Sequence, residues 1–209
     1  MPAPITLHLT DPDAPEAMAL LSAYSRFLAL TIPAEGPNPI AVPLPDAADY
    51  RPPKGAILVT VDGPTPVGCV CLHTLSLGLG EVKRLYVAPQ TRGQGLARRL
   101  MAAIEDQAIN LGFTRLNLDT NAVLTDAIAL YRASGWQDTA PYTGFPATHW
   151  FTKALEEMPA RCRFQSWRAM AFRARSLSST ACAPGRPARS SSAKSMNACS
   201  WSVSNCTNG

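Results

Sequence analysis

A mixed-sheet α/β fold, with helices flanking the sheet, follows from three features of the 209-residue chain. Residues 56–61 and 67–75 are β-rich runs separated by Asp62-Gly63-Pro64-Thr65-Pro66, a strong turn signal, and so predict an antiparallel hairpin. Residues 81–87 form a third run, which leads through a glycine loop into a helical pattern and then into a strand holding Leu116 and Leu118. Together these make one βαβ unit. Hydrophobic residues make up 46% of the chain and charged residues 16%, enough to bury a sizeable core.

The elements follow in chain order. Residues 5–9 alternate apolar and polar side chains and predict a short strand. Asp13-Ala14-Pro15-Glu16 has the spacing of a capping box, and the helix after it sets Ala17, Leu20, Leu21, Tyr24, Phe27 and Leu28 on one face. Prolines at 33, 37, 39, 43, 45, 52 and 53 exclude long regular elements from residues 31–53, leaving room for one helical turn near Asp46. After the polar loop at 88–95, Leu96, Leu100, Ile104, Ala108 and Leu111 recur at helical spacing until Gly112 stops the helix. A shorter helix is expected from Thr125, as its cap, to Ser134, with Gly135 ending it. Residues 136–139 and 148–153 are the closing strands.

Charge divides the chain in two. Up to Glu156, 11 lysines and arginines face 14 aspartates and glutamates, whereas beyond it 8 basic residues stand with Glu157 alone. Residues 157–209 also hold 11 serines and no isoleucine, and show no sustained period. The reading is therefore a folded domain over residues 3–155 and a basic Ser/Arg-rich tail over 156–209, disordered or out of frame. No run approaches the ~18 apolar residues of a membrane helix, and Met1-Pro2-Ala3-Pro4-Ile5 lacks the features of a secretory signal, so the expected location is cytoplasmic. Neither Cys69 and Cys71 nor the tail cysteines have zinc-site spacing, and no metal is expected. Cys69 and Cys71 share one strand face and read as buried thiols.

The loop carries the chemistry. A strand that feeds glycines into a helix N-terminus builds an anion site, because the first amide N–H groups have no partner inside the helix and the macrodipole adds positive charge. Gly93 and Gly95 allow close approach, Ala97 keeps the first turn small, and Arg92, Arg98 and Arg99 add fixed charge. The P-loop pattern is absent. A dinucleotide site gains some support from Asp119 at the end of the next strand, but Arg98 stands where the third glycine belongs.

Arg92-Gly93-Gln94-Gly95-Leu96-Ala97 resembles the R/Q-x-x-G-x-G/A signature of the GNAT superfamily of acetyl-CoA-dependent N-acetyltransferases. Leu85-Tyr86-Val87 and Pro89 precede it at that family's spacing, and Ala127 to Arg132 with Gly135-Trp136 resembles its later A-x-x-L-Y-x-x-x-G-[FW] motif. Glu81 to Val87 and Ala140-Pro141-Tyr142 resemble a bacterial branch whose members mostly lack an assigned substrate. The resemblance implies a sheet splayed between its fourth and fifth strands with acetyl-CoA in the gap. Amides from Arg92 to Arg98, including Gln94, Leu96 and Ala97, would hold the pyrophosphate. Leu85-Tyr86-Val87 would run beside the pantetheine arm, with the Val87 N–H facing the thioester carbonyl.

The resemblance also implies the catalytic candidates. Glu81, six residues before Val87, stands where related enzymes place a base; Tyr131 matches a tyrosine that protonates the departing thiolate. A strand's period of two puts Glu81, Lys83, Leu85 and Val87 on one face unless a bulge intervenes. Leu124 stands where the family often has an asparagine, and Asn121 is the nearest substitute. Tyr50, Tyr142, Phe145 and His149 are candidates for the acceptor wall. The expected acceptor is a small-molecule or peptide amine, with neither nucleic acid nor membrane as a partner and a homodimer allowed. The competing reading is a module that senses acetyl-CoA, or binds nucleic acid through its tail, where Arg161, Arg163 and Arg168 lie among Phe164 and Trp167.

Overall fold

The computed structural model describes residues 4–34 and 43–156, so the tail expected over 156–209 lies outside the described residues except for Glu156. Strands β1 (Thr6–Thr10), β2 (Gly55–Asp62), β3 (Thr65–Ser76), β4 (Leu79–Val87), β5 (Arg115–Thr120), β6 (Gln137–Asp138) and β7 (His149–Ala154) alternate with helices α1 (Pro15–Thr31), α2 (Leu96–Asn110) and α3 (Thr125–Ala133). The strands form one sheet in the order β1-β2-β3-β4-β5-β7-β6. Only β4 and β5 pair in parallel, as the α2 crossover between them requires.

Strand alternation sorts the core onto two faces. Ile57, Val59, Cys69 and Cys71 turn toward Ala17, Leu20 and Leu21 of α1. Leu58, Val70, Leu72, Val82, Leu116 and Leu118 turn toward Leu100, Met101 and Ile104 of α2 and Ile128 and Tyr131 of α3. Cys69 and Cys71 are free, fully buried thiols, and burial pushes Cys71 up to about 12, which leaves it inert. No helix among the described residues is long and apolar enough to cross a membrane.

Two helix starts differ from expectation. Asp13 does not cap α1: the cap position is Ala14, Pro15 opens the helix, and Glu16 accepts a bond from Thr10 Oγ1 at 2.9 Å instead. Proline has no N–H, so this start has one fewer unpaired amide for a side-chain cap to serve. In α3 the cap position falls on Leu124, which makes Thr125 the first helical residue. The ends agree: Gly112 and Gly135 take φ of 89° and 81° immediately past α2 and α3. A short 3-10 turn at Ala47–Tyr50 is capped by Asp46, whose carboxylate accepts the Ala48 N–H at 2.9 Å.

Candidate active site

The site begins where the sheet comes apart. β4 pairs with β5 only through Leu79, Gly80 and Glu81, opposite Arg115, Leu116 and Asn117; beyond Glu81 the two strands diverge. At that point β4 carries a bulge, since Cys69 opposes Tyr86 but Cys71 opposes Lys83, leaving one more residue on β4 than on β3. Arg84 at the bulge has φ 56°, the one positive value at a non-glycine residue among the described residues.

The bulge intervenes in the strand alternation and so divides Glu81, Lys83, Leu85 and Val87 between two faces. Glu81 and Lys83 lie opposite His73 and Cys71, on the α1 side with Tyr86, whereas Leu85 and Val87 pack with the α2-side core. It also exposes backbone on the open edge. The Ala88 N–H bonds the Val67 carbonyl of β3 at 2.8 Å, so strand alternation turns the N–H of Val87 the other way, toward the splay. The Val87 carbonyl on that edge takes a bond from Arg92 Nε at 3.1 Å, and the Arg92 guanidinium lies 5.1 Å from the centre of the Phe27 ring.

The open edge runs into an unsatisfied helix start. The first bond of α2 goes from the Arg99 N–H to the Gly95 carbonyl at 3.1 Å, so the amides of Leu96, Ala97 and Arg98 have no acceptor within the helix. Gly93 and Gly95 take φ of 77° and 74°, and a Cβ at either would meet no atom within 4 Å. Gln94 is exposed between them and Leu96 is buried beneath.

A cavity of about 930 Å³ joins these features. Leu85, Tyr86, Val87, Arg92, Gly93, Gly95, Leu96, Ala97, Arg98 and Tyr131 all line it, so of the cofactor-binding and catalytic candidates only Gln94 and Glu81 are not in its wall. Tyr50, Tyr142, Phe145 and His149 do not line it either. Tyr24 and Phe27 of α1, Pro43, Asp119, Pro146 and Ala147 do. Asn121 also lines it, but its Nδ2 donates to the Pro146 carbonyl at 2.6 Å and its Oδ1 accepts the Val123 N–H at 3.1 Å, so its side chain organises the loop.

Glu81 is 2% exposed. His73 Nε2 is 2.7 Å from its Oε2, while Lys83 Nζ and the Tyr142 hydroxyl approach its Oε1 at 2.9 Å each. Lys83 continues to Asp119 Oδ2 at 3.0 Å, which also accepts from Thr143 Oγ1 at 2.7 Å; no donor among the described residues reaches Asp119 Oδ1. Burial pushes the Glu81 carboxyl up, but His73, Lys83 and Tyr142 together outweigh burial and hold it below its ordinary value of 4.5. Tyr131, 6% exposed, has no hydrogen-bond partner for its hydroxyl among the described residues, and burial with the nearby Asp119 charge raises its pKa. Tyr24 is raised likewise, by burial first and then by Tyr131.

The depressed Glu81 carboxyl has a consequence for stability. It binds a proton less readily in the folded than in the unfolded chain, so its contribution is complete above about pH 4.5 and is lost as the pH falls through the lower folded-state value. Glu81→Gln is therefore expected to cost about 1–3 kcal/mol at neutral pH, by removing the charge that pairs with Lys83. It should also flatten the acid limb of stability below pH 4.5. Urea unfolding of both proteins from pH 7 to pH 3 checks this; parallel pH profiles would refute it.

Lys83, Arg84, Tyr24, Phe27 and Asp119 are among the cavity residues that sequence reasoning did not assign to the acetyl-transfer site; Asp119 was visible at the end of its strand but pointed to a dinucleotide instead. Lys83 and Arg84 were hidden by the bulge. Tyr24 and Phe27 had a signal, their place on the inward face of α1, but it read as core.

Comparison with known proteins agrees with this geometry. A model of the Acetyltransferase (GNAT) family matches residues 24–136. The chain is 34% identical over 140 residues to the IAA acetyltransferase of Azospirillum brasilense, covering 66% of this chain and 88% of that one. Its fold is similar to that of a Klebsiella pneumoniae protein classed with the acyl-CoA N-acyltransferases, at 29% identity and a TM-score of 0.58 over 73% of this chain and 98% of that one. It is also similar to a GNAT family acetyltransferase from Elizabethkingia anophelis solved with acetyl-CoA bound, at 18% identity and a TM-score of 0.51, over 72% and 98%.

Proposed function

The chain belongs to the GNAT acetyltransferase family and is an acyltransferase, and we propose that it moves the acetyl group of acetyl-CoA to a primary amine by direct attack while both substrates are bound. The observation that carries this reading is the continuity of the open β4 edge with the unsatisfied start of α2 in one cavity. Such an edge can satisfy the amides of a pantetheine arm, and such a helix start can satisfy a pyrophosphate. When bound, acetyl-CoA supplies an activated acyl group on a thiol leaving group.

The residues then divide the work. The amides of Leu96 to Arg98, on a loop shaped by Gly93 and Gly95 and flanked by Arg92, hold the diphosphate. Leu85 and Val87 align the arm, and the Val87 N–H faces the carbonyl oxygen on which negative charge develops. The amine must reach the carbon without its extra proton. Asp119 Oδ1, beside Lys83 on the splayed edge of β5, is a carboxylate oxygen of the cavity wall that no donor among the described residues reaches, so in this reading it takes that proton, and Tyr131 gives one to the departing sulfur. Glu81 then acts through its neighbours: with both oxygens occupied and no place in the wall, it fixes Lys83 and Tyr142. Much of the rate comes from holding amine and acyl group together.

An amine library incubated with protein and acetyl-CoA, with free thiol as the readout, tests the reading. Thiol release that requires both protein and a particular amine is expected. A protein that binds acetyl-CoA yet releases no thiol above hydrolysis with any amine would leave binding without transfer.

A further inference from the structure

We propose that Arg84 receives a carboxylate of the acceptor, so that the preferred acceptors are amines that also carry a carboxylate, as amino acids do. The inference rests on the acetyl-transfer reading above and adds the substrate class to it.

Three observations support it. First, the bulge holds Arg84 at φ 56°, a conformation that costs an L-residue with a Cβ about 1–2 kcal/mol, and the arginine it holds there lines the cavity. Second, the guanidinium is held in place by neutral groups alone. Its Nη1 donates to the Tyr50 hydroxyl at 2.8 Å, its Nη2 donates to the Pro43 carbonyl at 3.2 Å, and it lies 5.5 Å from the centre of the Tyr50 ring. No carboxylate of the described residues forms an ion pair with it, in contrast to Lys83 beside it, which pairs with both Glu81 and Asp119. Two of its five N–H groups are engaged, which leaves donors in the planar fork that suits a carboxylate.

Third, Asp119 across the splay on β5 has an oxygen free in the same cavity. A fixed cation on one wall and a free carboxylate oxygen on the other match a molecule with a carboxylate and an ammonium. A neutral amine uses only the second of these. Tyr50 supports the arrangement from below: it is buried, and burial, partly offset by the Arg84 charge, pushes its hydroxyl up to about 12, so it stays uncharged under the guanidinium and does not neutralise it.

The experiment compares amino acids with their own carboxamides as acceptors, using wild type, Arg84→Gln and Arg84→Lys, each checked by thermal unfolding. Wild type is expected to favour the acids in kcat/KM, and Arg84→Gln to reduce the acid-over-amide ratio by on the order of 10- to 100-fold through KM, the effect of one charge-assisted fork. Arg84→Lys, which keeps the charge without the fork, should fall between. Calorimetric titration of the CoA-loaded protein with N-acetylated acids gives a second readout, in which wild type binds and Arg84→Gln loses that heat. Equal kcat/KM for acids and amides in wild type, no turnover of any amino acid, or an unchanged ratio in Arg84→Gln overturns the proposal. If wild type acetylates neutral amines without such preference, the acetyl-transfer reading survives and this one fails; if wild type does not bind acetyl-CoA at all, both fail.

Discussion

Gly95→Trp is expected to weaken acetyl-CoA binding by at least about 100-fold in calorimetry, because an indole there fills the space that the diphosphate needs. Gly95 holds φ 74°, and the space where a side chain would begin is empty to 4 Å. In the proposed complex that space is where a diphosphate approaches the amides of Leu96 to Arg98, so an indole there blocks the cradle. The left-handed φ adds a strain of about 1–2 kcal/mol, which unbinds nothing by itself but loosens the start of α2. Gly112→Ala separates the two effects. Gly112 has φ 89° and equally open surroundings, yet it ends α2 instead of starting it. It should share the loss of stability and keep the affinity. Equal affinity of Gly95→Trp and wild type for acetyl-CoA would remove the cradle from the reading.

The features legible in the sequence are those fixed by local chemistry. Hairpin, crossover helix and loop follow from periods of two and 3.6 broken by glycine and proline, and Gly112 and Gly135 mark helix ends because few other residues adopt their φ. The parallel pairing of β4 with β5 follows from the length of the connection between them. Helix starts were less legible, since a cap is decided by the dihedrals of a single residue, and Asp13 and Thr125 each sit one position away from the cap the chain adopts.

The site was legible where it consists of backbone and hidden where it depends on tertiary register. A bulge at Arg84 exists only because β3 and β4 pair around it, and it reverses the side-chain parity of everything beyond it. Period-two reasoning groups Glu81 with Val87 only where no bulge intervenes; the bulge is present, and the fold sends them to opposite faces. The network that ties Glu81 to His73, Lys83 and Tyr142 spans residues 73 to 142, a separation that no local pattern encodes. Tyr24 and Phe27 were assigned to the correct helix face, but the sheet parts beneath that end of α1, so the face borders a cavity there instead of a core.

Tyr131→Phe is expected to lower kcat by about 100-fold, at the low end of the 10²–10⁴ range for a general acid or base. Burial and the Asp119 charge raise the Tyr131 pKa above its ordinary value of 10.0, so the phenol is fully protonated at neutral pH. A phenol is already a weaker acid than the thiol it would form, whose reference value is about 8.5, and the shift widens that gap. Its advantage must therefore come from position, which limits the size of the effect. A merely structural role makes the opposite prediction. The Tyr131 ring packs against Trp136 and Phe151 at 6.3 and 5.8 Å between centroids, contacts a phenylalanine retains. Its hydroxyl is buried with no protein partner among the described residues, so deleting it should leave Tm unchanged or raise it slightly. Lower kcat with unchanged Tm and unchanged acetyl-CoA affinity would assign the hydroxyl to the reaction, whereas unchanged kcat would leave Tyr131 as wall and core alone.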